Sequence, residues 1–331
     1  MKKVLISILL TLITIISFNY FVDSSGRYYT KKKIIKKSLY ELEQNNYFYA
    51  TQNFFERLLK KELIKKNKNN NIEIVICGSS RAAIMNEKII GNSNFLNLAF
   101  SFSTLFDSLI MCDYAYSKLR SNKMIIVLDY YYFIDLDNKH FKYEWISLFQ
   151  DKKFKDYKKK LSTKTYLYYI TNYYFSLFKN LLSYDLLKEN VIKLYDKNKE
   201  NKNFLKINSN GSFEINFDSN SQINLKDKER YAENHLKFAK TINQENLLFF
   251  EKYLEKNKKN IEIYLLPYSP IYYKTLKKSK VITELNNKIE EISKKNKIKI
   301  LGSYNPNDFF CDEKNFSDAV HPDIKCLTKI K

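Results

Sequence analysis

Histidine is scarce in this sequence, and the cysteines are not arranged to bind a metal. The 331 residues contain 3 histidines and 4 cysteines. No Cys-x-x-Cys pair occurs, and no histidine neighbours a cysteine at the spacing of zinc ligands. We therefore expect no metal site and no cofactor. The sequence does not decide whether the four cysteines are free thiols or form disulfides. In an exported domain, a Cys311–Cys326 disulfide would hold the last segment in place.

The sequence also lacks an arginine-rich recognition helix, although its charge is strongly basic. Lys+Arg number 57 against 36 Asp+Glu, which gives a net charge of +21. A balance of this size attracts polyanions such as nucleic acid, anionic lipid or an acidic glycan polymer. Because the sequence has neither such a helix nor zinc-finger spacing, we exclude nucleic acid and retain an anionic glycan or envelope polymer as a partner. The alternative is that the charge reflects composition alone, since the lysines are spread along the whole chain among Asn, Ile and Tyr.

A single long apolar run occurs, at the amino terminus. Residues 4–22 carry no charge and are rich in Leu and Ile, which is long enough to span a bilayer. The run ends in bulky residues at 18–22, whereas a cleaved signal peptide ends in small ones. We predict an uncleaved transmembrane signal anchor over 1–26. The basic residues just beyond it oppose the positive-inside rule, but we expect residues 23–331 on the extracytoplasmic side of the cell membrane.

The remaining chain indicates one α/β domain with an insertion. Mostly continuous apolar strands alternate with helices, which is typical of a parallel sheet covered on both faces. We expect a helical linker over 27–70, a catalytic domain over 71–135 and 244–331, and a cap over 136–243. The predicted strands are 72–77, 94–99, 124–128, 261–266 and 298–301, and the predicted helices are 105–119, 246–256 and 281–295.

The predicted cap is mostly helical and rich in aromatic residues. Tyr, Phe and Lys alternate through 141–145 and 166–170, and Asn210-Gly211 predicts a hairpin turn. The stretch is too long to be a loop. Its aromatic residues are either the core of the cap or a surface on which sugars stack.

The first strand of the domain ends in a turn that can carry a nucleophile. Gly78 permits a sharp reversal after the strand, and Ser79, Ser80 and Arg81 lead into a helix start at Ala82. Backbone N–H groups at such a helix start stabilise an anion, so a serine there can attack a carbonyl while these groups hold the oxyanion. The turn alone does not distinguish the two serines from ordinary loop residues.

A histidine near the carboxyl terminus has the setting that a serine nucleophile requires. His321 follows Asp318 by three positions, which allows the carboxylate to hold Nδ1 while Nε2 faces a serine. His140 lies in a lysine-rich turn and His235 on an amphipathic helix, so we expect both at the surface. Ser80, Ser101 to Thr104, Asp129 and the 318–321 segment each follow a predicted strand, so they should share the carboxyl edge of the sheet, where ligands bind.

These residues resemble the SGNH/GDSL hydrolase superfamily. Gly78-Ser79-Ser80 is similar to its first block, with Ser80 as nucleophile, and Asp318-Ala319-Val320-His321 matches its last block. Residues 97–102 are similar to its second block, whose glycine N–H enters the oxyanion hole. The resemblance implies a flavodoxin-like three-layer α/β/α sandwich and a Ser80–His321–Asp318 triad. It covers 72–130 and 261–325.

The sequence departs from this family pattern in two places. Phe102 stands where the second block has its glycine, and the third block's Gly-x-Asn-Asp is not found at the end of the 124–128 strand. The missing asparagine donor would be replaced by Asn97 or a tyrosine hydroxyl, with Phe102 and Ser101 completing the oxyanion and substrate site. Arg81 has two interpretations, an anionic-substrate ligand or a buried partner of Asp129.

The membrane anchor and the insertion are most similar to the anchored branch of that superfamily. This branch includes alginate acetylation proteins and the D-alanine transfer protein of teichoic acids. The resemblance implies a serine esterase or O-acyltransferase acting on an acyl ester of a cell-envelope glycan, with a membrane partner as acyl donor. The alternative is a catalytically inactive envelope protein that binds glycan through the cap.

Overall fold

The computed structural model describes residues 2–23, 31–50, 56–101, 103–134, 171, 174–175, 178–195, 205–215, 224–239, 241–257 and 260–330. The chain forms two compact units. One, the anchor unit, comprises 1–55 and 139–203, and the other, the sheet unit, comprises 56–138 and 204–331.

The sheet unit is built on a five-stranded parallel sheet with the strand order β3-β2-β4-β7-β8. The chain enters at β2, moves out to the edge at β3 and returns to the other side of β2 as β4. This reversal makes the carboxyl end of β2 a topological switch point, where open α/β sheets bind ligands. The strands of the chain are β1 Tyr47–Ala50, β2 Ile74–Cys77, β3 Phe95–Asn97, β4 Lys123–Leu128, β5 Leu205–Asn208, β6 Phe213–Ile215, β7 Ile261–Leu265 and β8 Lys299–Gly302.

The central strands are buried on both faces. All four residues of β2 are buried, and in β4 only Lys123 is partly exposed. Successive side chains of a strand point to opposite faces of the sheet, so both faces must be covered. The predicted α/β fold with a parallel central sheet is therefore confirmed, and each predicted strand of the domain is present with ends shifted by one or two residues.

Helices connect and cover these strands. The predicted helix over 105–119 is found with the same bounds, and Thr104 and Asp107 form a capping box at its start. The helices are α1 Lys2–Val22, α2 Lys31–Asn45, α3 Glu56–Lys66, α4 Ser80–Ala83, α5 Glu87–Ile90, α6 Leu105–Leu119, α7 Tyr184–Tyr195, α8 Leu225–Phe238, α9 Gln244–Lys256, α10 Pro270–Leu276, α11 Lys280–Lys295 and α12 Ile324–Leu327.

The predicted linker over 27–70 contains more structure than a helix. Strand β1 separates α2 from α3, with Phe48 and Ala50 buried and Tyr47 and Tyr49 exposed. This alternation of buried and exposed residues has a period of two, so the helical spacing of 3.6 residues does not predict the strand.

The predicted hairpin around Asn210-Gly211 is present as antiparallel β5 and β6. Gly211 has a φ of +81°, and a Cβ there would lie 2.3 Å from the carbonyl oxygen of Asn97, so only glycine fits. Of the predicted cap, the aromatic runs 141–145 and 166–170, and also His140, lie outside the described residues. The division into anchor, linker, catalytic domain and cap stays a prediction.

Two disulfides and one apolar helix complete the architecture. Cys77 is bonded to Cys112, and Cys311 to Cys326, so all four cysteines of the sequence are paired. Residues 3–22 of α1 are long and apolar enough to cross a membrane, and this window is almost wholly exposed.

Candidate active site

The turn after β2 separates the roles of its two serines. A side chain at Gly78 would place its Cβ 2.7 Å from Ala82 Cβ and 2.9 Å from Val127 Cβ, so the close approach of α4 to β4 requires glycine. Ser79 is the N-cap of α4, and its Oγ accepts from the Arg81 N–H at 3.2 Å. Ser79 is buried, whereas Ser80, the first residue of the helix, is half-buried. Ser80 is therefore the serine that a substrate can reach.

The three predicted triad residues lie together in hydrogen-bond order. Ser80 Oγ lies 2.8 Å from His321 Nε2, and His321 Nδ1 lies 2.7 Å from Asp318 Oδ2. The second carboxylate oxygen, Asp318 Oδ1, accepts the backbone N–H groups of Val320 and His321 at 2.8 and 2.7 Å. Asp318 thus fixes the loop as well as the ring, and a histidine held in this way presents Nε2 as a base.

The environment of Asp318 keeps its carboxylate ionised. Partial burial opposes ionisation, but the hydrogen bond and charge of His321 and the two backbone donors outweigh it and lower the pKa of Asp318 to about 2. A carboxylate with this pKa stays negative at all physiological pH values. It can therefore stabilise an imidazolium on His321.

Arg81 is used inside the protein and does not face a substrate. Its side chain is 2% exposed and is paired with Asp129, which also accepts from the Ser79 hydroxyl. The guanidinium also donates to the carbonyls of Leu266, Pro267 and Val320 and lies 3.6 Å from the centre of the Tyr268 ring. The structure therefore agrees with the second interpretation of Arg81, in which it is the buried partner of Asp129.

The predicted oxyanion donors are mostly engaged elsewhere. Asn97 Nδ2 donates to the carbonyls of Ala82, Ala83 and Met85 at 2.9 to 3.2 Å, which closes the end of α4. The Ser101 N–H donates to Glu56 Oε2 at 2.5 Å. Phe102 lies outside the described residues. We therefore assign Asn97 and Ser101 to the support of the site.

Helix α3 supplies two charged side chains, one buried and one half-buried, that the sequence did not reveal. Lys60 is fully buried, and its Nζ donates to the carbonyls of Asn97 and Gly211 at 2.8 and 2.5 Å. Glu56, one turn earlier, holds Ser101. Because Asn97 and Ser101 bracket the loop after β3, this pair fixes both ends of that loop. The only sequence signal was an acid and a base at i and i+4 on one helix.

Burial changes the ionisation of both α3 side chains. It lowers the pKa of Lys60 to about 7, although the charge of Glu56 acts in the opposite direction. It also raises the pKa of Glu56, against the hydrogen bonds of Ser101 and the charges of Lys60 and Arg57. A neutral lysine amine still has two N–H groups, one for each of the two carbonyls to which Lys60 donates.

Tyrosines line the sheet edge beside the nucleophile. Tyr131 follows β4, is half-buried and hydrogen-bonds the Ser79 side chain, and burial raises the pKa of its hydroxyl well above the usual value. It therefore remains a protonated donor.

His235, predicted at the surface, is half-buried instead: its Nδ1 lies 2.9 Å from the Tyr272 hydroxyl, and burial lowers its pKa. Neither this contact nor that of Tyr131 includes a triad residue.

Comparison with known proteins finds a likeness among solved structures. No protein-family model matches the sequence, and no curated protein matches it. Among solved structures, the chain is similar to a GDSL-like lipase from Bacteroides thetaiotaomicron, with 11% sequence identity and a TM-score of 0.35, over 82% of this chain and 93% of that one.

Proposed function

We propose that the protein is a membrane-anchored serine esterase or O-acyltransferase that uses a Ser80–His321–Asp318 triad. The observation that carries the proposal is the continuous hydrogen-bond chain from Ser80 Oγ through His321 to Asp318, with separations of 2.8 and 2.7 Å. The position of Ser80 at the topological switch point of the sheet supports it.

In the proposed reaction, His321 Nε2 takes the proton of Ser80 Oγ as the oxygen attacks an ester carbonyl. A tetrahedral intermediate forms, and the free N–H of Ser80 at the start of α4 donates to its oxyanion. The imidazolium, stabilised by Asp318, gives its proton to the leaving alcohol, which leaves an acyl group on Ser80. Water or a sugar hydroxyl then attacks this acyl-serine, with His321 as base, and restores the enzyme.

The proposed setting is the outer face of the cell membrane. The apolar helix α1 supplies an anchor, and two disulfides are typical of proteins outside the reducing cytosol. A net charge of +21 suits an anionic envelope polymer as the substrate or acceptor. A membrane protein that delivers the acyl group completes the transferase version of the proposal.

The second candidate is a catalytically inactive protein that binds glycan. Asn97 Nδ2 donates to three backbone carbonyls, so it is not available to replace the missing side-chain donor of the oxyanion hole. This observation favours the inactive protein. Loss of one such donor lowers the rate on the order of 10²-fold. The two candidates differ in whether Ser80 forms an acyl-enzyme.

The test uses the full chain in detergent micelles with p-nitrophenyl acetate and a fluorophosphonate probe. We expect labelling and turnover by the wild type, and loss of both in Ser80→Ala and His321→Gln, with kcat lowered about 10⁴-fold or more. His235→Gln is the matched control, since His235 contacts Tyr272 and not the triad, and it should retain labelling. An unlabelled wild type would favour the glycan-binding candidate, which direct binding to envelope polymer then tests.

A further inference from the structure

One polar residue near the end of α1 is wholly buried. The apolar side chains of α1 from Val4 to Leu10 are 53 to 61% exposed, but Asn19 is 0% exposed. Its Nδ2 donates to the carbonyl of Leu181 at 2.7 Å, and its Oδ1 accepts from Asn190 Nδ2 at 2.9 Å. The segment 178–195, which includes α7, is therefore fastened to the last turn of α1.

Part of the exposed surface of this segment is apolar and aromatic, and Asp185, Lys188 and Glu189 are exposed beside it. On α7, Leu186 and Asn190 face inward with exposures of 3% and 0%. Tyr184 and Val191 are seven residues apart, so they lie on the same side of the helix two turns apart. The exposed large apolar side chains of the segment, which we call the anchor platform, are Phe178 51%, Leu182 37%, Tyr184 74%, Val191 40%, Ile192 45% and Leu194 50%.

We infer that the anchor platform lies in the bilayer interface and embeds its apolar side chains among the lipids around α1. The inference rests on the membrane anchoring given under the proposed function. Asn19 lies three residues before the end of α1, about 4.5 Å at the helical rise. A segment fastened there meets the membrane at the boundary between acyl chains and headgroups.

The chemistry of the segment fits that depth. Aromatic and aliphatic side chains on one side of a helix are stabilised at the interface, where Tyr keeps its hydroxyl in the headgroup layer. Lys179 and Lys188 are exposed on the same segment, and so are Asp185 and Glu189, whose charges oppose theirs. The apolar side chains therefore decide the occupant, which is a lipid surface.

The test places an environment-sensitive NBD label on the full chain in liposomes of phosphatidylcholine and phosphatidylglycerol. The variants Val191→Cys, Glu189→Cys and Leu9→Cys are labelled under non-reducing conditions, which leave the native disulfides intact. Glu189 is exposed and is the matched control on α7, because two residues, about 200° of helical rotation, separate it from Val191. Quenchers are iodide in the water and phospholipids brominated near the head of the acyl chain.

We expect the Val191 label to lose most of its fluorescence to the brominated lipids and to resist iodide. The Glu189 label should respond to iodide alone, and the Leu9 label should respond to brominated lipids alone. Equal behaviour at Val191 and Glu189 would overturn the inference. Protection of Val191 from both quenchers would also overturn it, since a second copy or another protein then covers the platform. A Leu9 label open to iodide would refute the anchoring and the platform together. Fluorophosphonate labelling of the same samples reports on Ser80 independently.

Discussion

Two charged clusters with buried members flank the nucleophile turn, and they are built differently. In the first, Arg81 and Asp129 contact each other directly, with side-chain exposures of 2% and 0%. In the second, Glu56 and Lys60 act on each other through charge, while each makes its hydrogen bonds to the backbone of other segments. The first cluster satisfies its own charges. The second uses its polar atoms to hold a loop.

This difference indicates what each cluster does for the site. The Arg81–Asp129 cluster gathers the Ser79 hydroxyl and the carbonyls of Leu266, Pro267 and Val320, so it joins the nucleophile turn to the loop that carries His321. The Glu56–Lys60 cluster sets the backbone between Asn97 and Ser101. One positions the triad, and the other positions the loop that faces it.

Removal of a charge from the first cluster should have the largest effect. In Asp129→Asn, an amide NH₂ replaces an oxygen that accepts from Ser79 or Arg81, and the Arg81 charge stays buried without a counter-charge. Loss of one partner of a buried pair costs about 3–5 kcal/mol. Urea unfolding followed by circular dichroism should show a loss of this size, with esterase activity and fluorophosphonate labelling lost as well.

The matched control is Asp312→Asn. Asp312 pairs with Lys314 at 3.0 Å, but the two side chains are 57% and 80% exposed. A surface pair of this kind contributes little to stability, so this variant should unfold at nearly the urea concentration of the wild type. Equal losses in the two variants would contradict the view that the first cluster holds the turn through a buried charge pair.

Loss of the second cluster should lower activity less than loss of the first and act mainly on the loop. Lys60→Met replaces an amine of lowered pKa with an apolar chain of similar length. Glu56 loses the charge of Lys60 but keeps the Ser101 hydrogen bond and the charge of Arg57. Two carbonyls lose their donor, at about 1–3 kcal/mol each at most. Displacement of the loop after Asn97 should lower kcat by about ten- to hundredfold, with fluorophosphonate labelling slowed in proportion.

The exposed Lys66 on the same helix gives the control variant, Lys66→Met, which should change neither rate nor stability. An unchanged kcat in Lys60→Met, with the stability loss present, would show that the cluster supports the fold and not the loop's function.

The sequence indicates the first cluster as one of two interpretations of Arg81 and does not indicate the second, for a physical reason. Arg81 lies four residues after β2 and Asp129 directly after β4, and the carboxyl ends of neighbouring parallel strands meet at one edge. The same rule brings Ser80 and the Asp318–His321 segment together. Glu56 and Lys60 do not follow a strand of the parallel sheet. Their position depends on how α3 packs over β3 and the β5–β6 hairpin. That packing is a long-range property that local periodicity does not contain.

The oxyanion donors illustrate the same limit within the site. Asn97 has the right residue type in the right loop, but its amide closes the end of α4. The amide of Asn97 points to the carbonyl groups that have no partner within α4. The position of these carbonyls depends on where α4 ends. The cysteine pairs were open for a similar reason, since Cys77 and Cys112 are 35 residues apart and meet only through the packing of α6 on β2.

The finest distinction between the clusters is their response to pH. The pKa of Lys60 is lowered from 10.5 to about 7 by burial, so between these values the unfolded chain binds one more proton at this site than the folded chain. Stability at this site therefore rises as pH increases from about 7 to 10.5. Arg81, whose pKa is raised, stays charged and contributes no such rise. Urea unfolding across this window, taken as the difference between wild type and Lys60→Met, isolates the Lys60 contribution from the other titrating groups. The wild type should gain stability relative to the variant as pH rises, and a flat difference would mean that Lys60 remains charged in its buried site.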